Sequence, residues 1–218
     1  VGISPDFSCA SAVDQASCET LGFDIRADRP KPTDVFLVDT NVWVWMTYSV
    51  ASQTPNPRVQ SPPAAYPKYF KRALAARARF CWCGLSLSEL AHTIEKAEFS
   101  LFAATNPKTS AKEYRHNLPA ERAHVVNEIQ AAWGAFKQIA KPIELVIGSA
   151  TTDAALARLS SQHLDGHDLF LLESMAGASV TQLLTDDGDF CTVPGIQVFT
   201  ANRQVIEAAQ NQGKLLAR

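Results

Sequence analysis

The strongest constraint on the fold is the run Val35-Phe36-Leu37-Val38, which ends directly on Asp39 and continues as Thr40-Asn41-Val42-Trp43. A short unbroken apolar run fits a strand buried on both faces, as in a parallel sheet. Asp39 then stands at the carboxyl end of that strand. In open α/β sheets, ligands bind along that edge. A carboxylate there is a poor core residue and a good site residue, so Asp39 marks the first candidate for chemistry.

The rest of the chain alternates strand and helix signals. Residues 41–50 read as a short helix packed by Val42, Trp45 and Met46. Residues 53–67 hold five prolines and read as a loop. Lys68 to Arg79 reads as a helix and Phe80 to Gly84 as a second strand. Cys81 and Cys83 fall on one face of that strand, where thiols serve packing. Ser86-Leu87-Ser88-Glu89 has the form of a capping box, which gives Glu89 a structural reading beside a functional one. Residues 106–117 read as a polar connection. A long helix follows from Pro119, with Val125, Ile129, Trp133, Phe136 and Ile139 along its buried stripe. Ile143 to Ile147 reads as a third strand, and Thr151 or Thr152 caps the next helix. A further helix starts near Asp168, an acid with a bland reading at a helix N-terminus. Val180 to Thr185 is a fourth strand, ending in Asp186-Asp187-Gly188-Asp189. Ile196 to Thr200 is a fifth, and Asn202 caps a last helix.

This alternation predicts an α/β fold: a three-layer α/β/α sandwich with a central, mainly parallel sheet of about five strands. Residues 35–218 form the predicted domain. Residues 1–34, which end in a proline- and charge-rich stretch, are read as an N-terminal extension or linker. At 46% hydrophobic and 19% charged, the chain has a globular composition. Its net charge of −2 excludes a generally basic nucleic-acid binder but leaves room for a local patch. Such a patch lies between Pro55 and Phe80, where Arg58, Lys68, Lys71, Arg72, Arg77 and Arg79 occur with no acid among them. That set reads either as a solvated face or as a phosphate-binding surface. The five cysteines make no disulfide framework, and Cys9 and Cys18 have no zinc-type partners. With no transmembrane run or signal-peptide pattern, the expectation is a cytoplasmic protein away from membranes. His163 and His167 have metal-pair spacing, but Gly166 between them argues for a loop.

In a parallel sheet, the strand ends at Asp39 and Asp187 and the helix starts at Glu89 and Asp168 lie on one side. Carboxylates gathered without bases repel each other, and a hard divalent cation relieves this. Oxygen-rich sites of this kind select Mg²⁺ or Mn²⁺. Such an ion makes a bound water easier to deprotonate and neutralises a phosphoryl oxygen, which suits phosphodiester hydrolysis.

Leu37-Val38-Asp39-Thr40-Asn41-Val42, Leu87-Ser88-Glu89-Leu90, His167-Asp168-Leu169 and Leu184-Thr185-Asp186-Asp187-Gly188-Asp189-Phe190 resemble, in this order, the four acidic motifs of PIN-domain nucleases. The resemblance spans about residues 35–200. It implies a metal-dependent endoribonuclease, often the toxin of a toxin–antitoxin pair of the VapC type, with RNA as substrate, a protein antitoxin as partner and a homodimer as assembly. By the resemblance, Asp39, Glu89, Asp168 and Asp187 are the catalytic, metal-binding acids. Asn41 orients the first acid, and Thr185 is the small polar residue before the last acid pair. Asp189 is the second acid of that pair, a metal ligand or a brace for the loop. Asp186 stands where the family often has Asn, and Asp165 is a weaker candidate. Stand-alone toxins of the family are shorter than this chain. Two other readings stand beside it: a PIN-like scaffold that binds RNA or a protein partner, and a haloacid-dehalogenase-like phosphatase. The latter needs Asp-x-Asp, where this chain has Asp39-Thr40-Asn41.

Overall fold

The computed structural model describes residues 20–48 and 64–218. Seven parallel strands form one sheet. They are β1 (Leu21–Asp24), β2 (Val35–Val38), β3 (Arg79–Cys83), β4 (Lys141–Ile143), β5 (Gln182–Leu184), β6 (Gln197–Thr200) and β7 (Leu215–Leu216). Their order across the sheet is β4-β3-β2-β5-β6-β1-β7. The helices are α1 (Thr40–Thr47), α2 (Ala65–Ala75), α3 (Ser86–Thr105), α4 (Ala111–Asn117), α5 (Pro119–Ile139), α6 (Ser149–Leu159), α7 (Gly166–Gly177) and α8 (Arg203–Asn211).

Side-chain alternation along each strand builds two cores. Phe36, Val38, Phe80, Leu184 and Phe199 face one way, onto α1, α2, α3 and α5. Leu37, Cys81, Cys83, Leu183 and Val198 face the other, onto α6, α7 and α8. The result is the three-layer α/β/α sandwich expected for strands buried on both faces. The first core is aromatic: Phe36 lies 4.9 Å from Phe199, Phe70 4.1 Å from Phe80, and Trp43 4.2 Å from Phe136, centroid to centroid. The second takes the smaller thiols and aliphatics, with Cys81, Cys83 and Cys191 buried there.

The sheet has two strands more than expected. Leu21–Asp24 pairs with β6 on one side and β7 on the other, with Phe23 and Ile25 buried. The stretch read as an extension therefore contributes a strand to the sheet from Leu21 onward. Its signal is weak because Gly and Asp are poor strand formers. Gly22 has a packing reason: a Cβ there would come within 3.0 Å of the Ala209 side chain, so its absence lets α8 sit close. β4 begins two residues before the expected strand and contains Pro142, which an edge strand tolerates because one row of its donors has no neighbour. The polar connection at 106–117 contains α4, started by a complete Ser110–Glu113 capping box. α2 begins at Ala65 and takes Pro67 in its first turn, where a missing N–H costs nothing. Gly148, rather than either threonine, precedes α6. Among the described residues, no helix is long and apolar enough to cross a membrane.

Candidate active site

Asp39 follows β2 directly and occupies the N-cap position of α1. Its carbonyl accepts the first helical bond, from Trp43 N–H at 3.2 Å. Its carboxylate does not make the side-chain cap bond that an Asp in this position normally gives. It turns instead toward β5, where Thr185 Oγ1 donates to Asp39 Oδ2 at 2.6 Å. The same hydroxyl accepts from the Asp187 N–H at 2.9 Å and from Asn41 Nδ2 at 3.4 Å. One hydroxyl offers one donor and two acceptors, so Thr185 is fully used and ties three site segments together. Asn41 closes the ring by accepting from the Asp186 N–H at 3.4 Å.

Asp39 is only 4% exposed. Burial, then the Glu89 charge, outweigh the Thr185 hydrogen bond; with Asp187 adding to the repulsion, its carboxyl is pushed up to about 7. Asp168, in the first turn of α7, is pushed up to about 9 by burial and by the charges of Asp39, Asp165, Asp187 and Glu89. The sequence-predicted acids Asp39, Glu89, Asp168 and Asp187 thus lie within electrostatic reach of one another, at the carboxyl edge of the adjacent strands β3, β2 and β5. Among the described residues none of these four makes an ion pair.

The capping box read at Ser86–Glu89 does not form. α3 starts one residue early: Leu85 is its cap with a helical backbone, and Ser86 lies inside the first turn. A Ser can cap only from an extended backbone just outside the helix. Glu89 is thereby released from the structural role and lines a small cleft with Asp168.

The other candidates divide. Asp165 caps α7, its Oδ1 accepting from the N–H groups of His167 at 2.8 Å and Asp168 at 3.1 Å. Asp189 lies one step out. Its N–H donates to Asp187 Oδ1 at 2.9 Å, and its carboxyl is raised by burial and by Asp187 and Asp165, with His163 opposing. Asp186 accepts from the Tyr66 hydroxyl at 2.6 Å. Tyr66 also receives the Ala201 N–H at 3.1 Å, and Asn202 Nδ2 holds the Asp186 carbonyl at 2.7 Å. Tyr66, Asn202 and Ser86 are the site neighbours that sequence reasoning missed. Tyr66 is hidden among prolines, and Asn202 shows only as a helix cap. His163 and His167 are split between a loop and the first turn of α7.

Of the basic set, Arg58 lies outside the described residues. α2 runs from the acid edge, where Tyr66 meets Asp186, toward the opposite edge. Lys68 and Lys71 are exposed along it. Arg72 is occupied: its guanidinium donates to the carbonyls of Ile25 and Arg26 and lies over the Tyr69 ring. Arg77 takes a left-handed backbone (φ 65°) in the turn after α2, and Arg79 pairs with Val35 at the amino edge of the sheet. The structure does not bring Arg77 and Arg79 to the acids.

The donor set suits a hard cation: it is all oxygen, uncompensated, and borders the orphaned Ser86 hydroxyl. As the side chains stand, no group of three or more His, Cys, Asp or Glu among the described residues is gathered closely enough to ligate one ion. No family model matches the chain. No curated protein matches it. Among solved structures, the chain is similar to VapBC2 from Rickettsia felis, crystallised bound to a DNA fragment from their promoter. Identity is 15%, the match covers 75% of this chain and 96% of that one, and the TM-score is 0.44.

Proposed function

We propose that the protein is a metal-dependent endoribonuclease, with Asp39, Glu89, Asp168 and Asp187 as its catalytic acids. The observation that carries this reading is the convergence of four carboxylates, without a counter-cation, on the carboxyl edge of a parallel sheet. Nothing in folding favours that arrangement, since burial and repulsion both oppose it. Bound Mg²⁺ or Mn²⁺ would supply an acidified water and neutralise phosphoryl charge. The four acids would hold the ion after drawing closer together than they stand here. Thr185 and the Thr40 N–H fix the orientation of the Asp39 carboxylate. Asn41 and Thr185 fix the loop that carries Asp187. Lys68 and Lys71, exposed on α2, would bind backbone phosphates of single-stranded RNA. A toxin role with a protein antitoxin, and a homodimer, belong to the same reading.

The test is cleavage of mixed RNA in Mg²⁺, Mn²⁺ or EDTA, wild type beside Asp39→Asn. The substitution removes a direct ligand. Even supporting residues of metal sites cost 10–100-fold, so the expected loss is at least about 100-fold with the fold retained by circular dichroism. Full metal-dependent activity in Asp39→Asn would sink the assignment. Absence of cleavage with every metal, from folded wild type, would favour the scaffold reading.

A further inference from the structure

Ser86 is 2% exposed, and its hydroxyl has no hydrogen-bond partner among the described residues. Helical hydroxyls commonly bond back to a carbonyl three or four residues earlier, and buried Ser174 does so, its Oγ donating to the Leu171 carbonyl at 2.6 Å. Ser86 instead lines a cleft with Glu89, His167 and Asp168, with room for about one water molecule. Glu89 is three residues further along α3, so both side chains share one helix face.

We propose that Ser86 is a positioning residue for the divalent cation: its hydroxyl hydrogen-bonds the hydration shell of an ion held by Glu89 and Asp168. This rests on the metal-dependent reading above.

The experiment uses the full chain without RNA. Mn²⁺ binding is titrated by electron paramagnetic resonance, and melting is followed in EDTA and in Mn²⁺. The set is wild type, Ser86→Ala, Ser86→Thr, and Ser100→Ala as a matched exposed control on the same helix. Ser86→Ala is expected to bind Mn²⁺ about 10-fold or more weakly, in line with lost outer-shell bonds. Its melting point in EDTA should stay close to wild type, because without metal the hydroxyl meets at most the one water the cleft has room for. Ser86→Thr, which keeps the hydroxyl, should recover most of the affinity, and Ser100→Ala should match wild type. Wild-type Mn²⁺ affinity in Ser86→Ala overturns the assignment while leaving the metal site standing. Absence of Mn²⁺ binding by folded wild type overturns the metal-dependent reading and this inference with it. Should Ser86→Ala fail to fold, Ser86→Cys, near in size and weak in hydrogen bonding, carries the same expectation.

Discussion

Two groups of acids in this molecule behave in opposite ways. Asp28 and Asp34 are 3% exposed each and share one cation. Arg218 reaches Asp28 through Nε at 2.6 Å and Asp34 through both terminal nitrogens at 2.8 Å, and it lies 4.5 Å over the Phe199 ring. The Tyr69 hydroxyl adds a bond to Asp28 at 2.6 Å. At the other group, the charges acting on Asp39 and Asp168 are all carboxylates. Burial is similar for Asp28, Asp34 and Asp39, so burial alone does not separate structure from function. The counter-charge does. A fold that needs a buried acid supplies its cation from within, and the uncompensated acids are where the proposed reading places a cation from outside.

The largest expected effect breaks the compensated group. Arg218→Ala leaves Asp28 and Asp34 buried without their cation, and removing one partner of a buried pair costs ~3–5 kcal/mol. For a chain of this size the melting point should fall by on the order of 10 °C. Asp39→Asn, by contrast, should leave metal-free stability unchanged or higher, because it removes one repelling charge. Equal losses from the two substitutions, in matched melts, would erase the distinction.

A smaller effect sharpens it through pH. Burial by itself would raise Asp34. Hydrogen bonds from Arg218, the Lys31 N–H and Gln182 outweigh it and hold the carboxyl below its ordinary value. The unfolded chain therefore binds the proton more readily. The Asp34 contribution is fully present above the ordinary carboxylate range near about pH 4, and is lost as pH falls through the folded value. Asp39 and Asp168, held above the ordinary range, act in the opposite direction and above about pH 4. Glu113, held low by its bonds from Ser110, titrates in the same acid range, so the comparison with Arg218→Ala is what isolates the Arg218 group. Urea unfolding should weaken more steeply there in wild type than in Arg218→Ala. Parallel slopes would mean that Arg218 does not set the Asp34 proton affinity.

The same contrast explains what the sequence disclosed. Asp39 was legible because it interrupts an apolar strand, and the later acids because each sits at a strand end or helix start. The Arg218 group has no local signature: its partners lie 184 and 190 residues away, and only the fold brings them together. β1 was hidden by Gly22, whose role is close approach to α8 rather than strand formation. The Ser86–Glu89 box misled because a one-residue shift in the helix start converts a capping motif into an orphaned hydroxyl and a released acid. Tyr66 lay in a proline-rich stretch, and its contact with Asp186 spans 120 residues.

The smallest effect concerns which cations serve the uncompensated acids. Eleven residues separate Tyr66, at the acid edge, from Arg77, a span of roughly 15 Å along α2. Arg79 lies further on, beside the first residue of β2 rather than its last. RNA crossing the acids should therefore touch Lys68 and Lys71 and miss Arg77 and Arg79. Measured in the non-cleaving Asp39→Asn background, Lys68→Ala or Lys71→Ala should weaken single-stranded RNA binding a few-fold, equally across sequences. Each should reduce the slope of log affinity against log salt by about 0.7, one phosphate contact's worth. Arg77→Ala and Arg79→Ala should leave the slope unchanged. If Arg79→Ala lowers it as much as Lys68→Ala does, the RNA follows the whole basic ridge to the amino edge, and the cations that serve the acids are not confined to their side of the sheet.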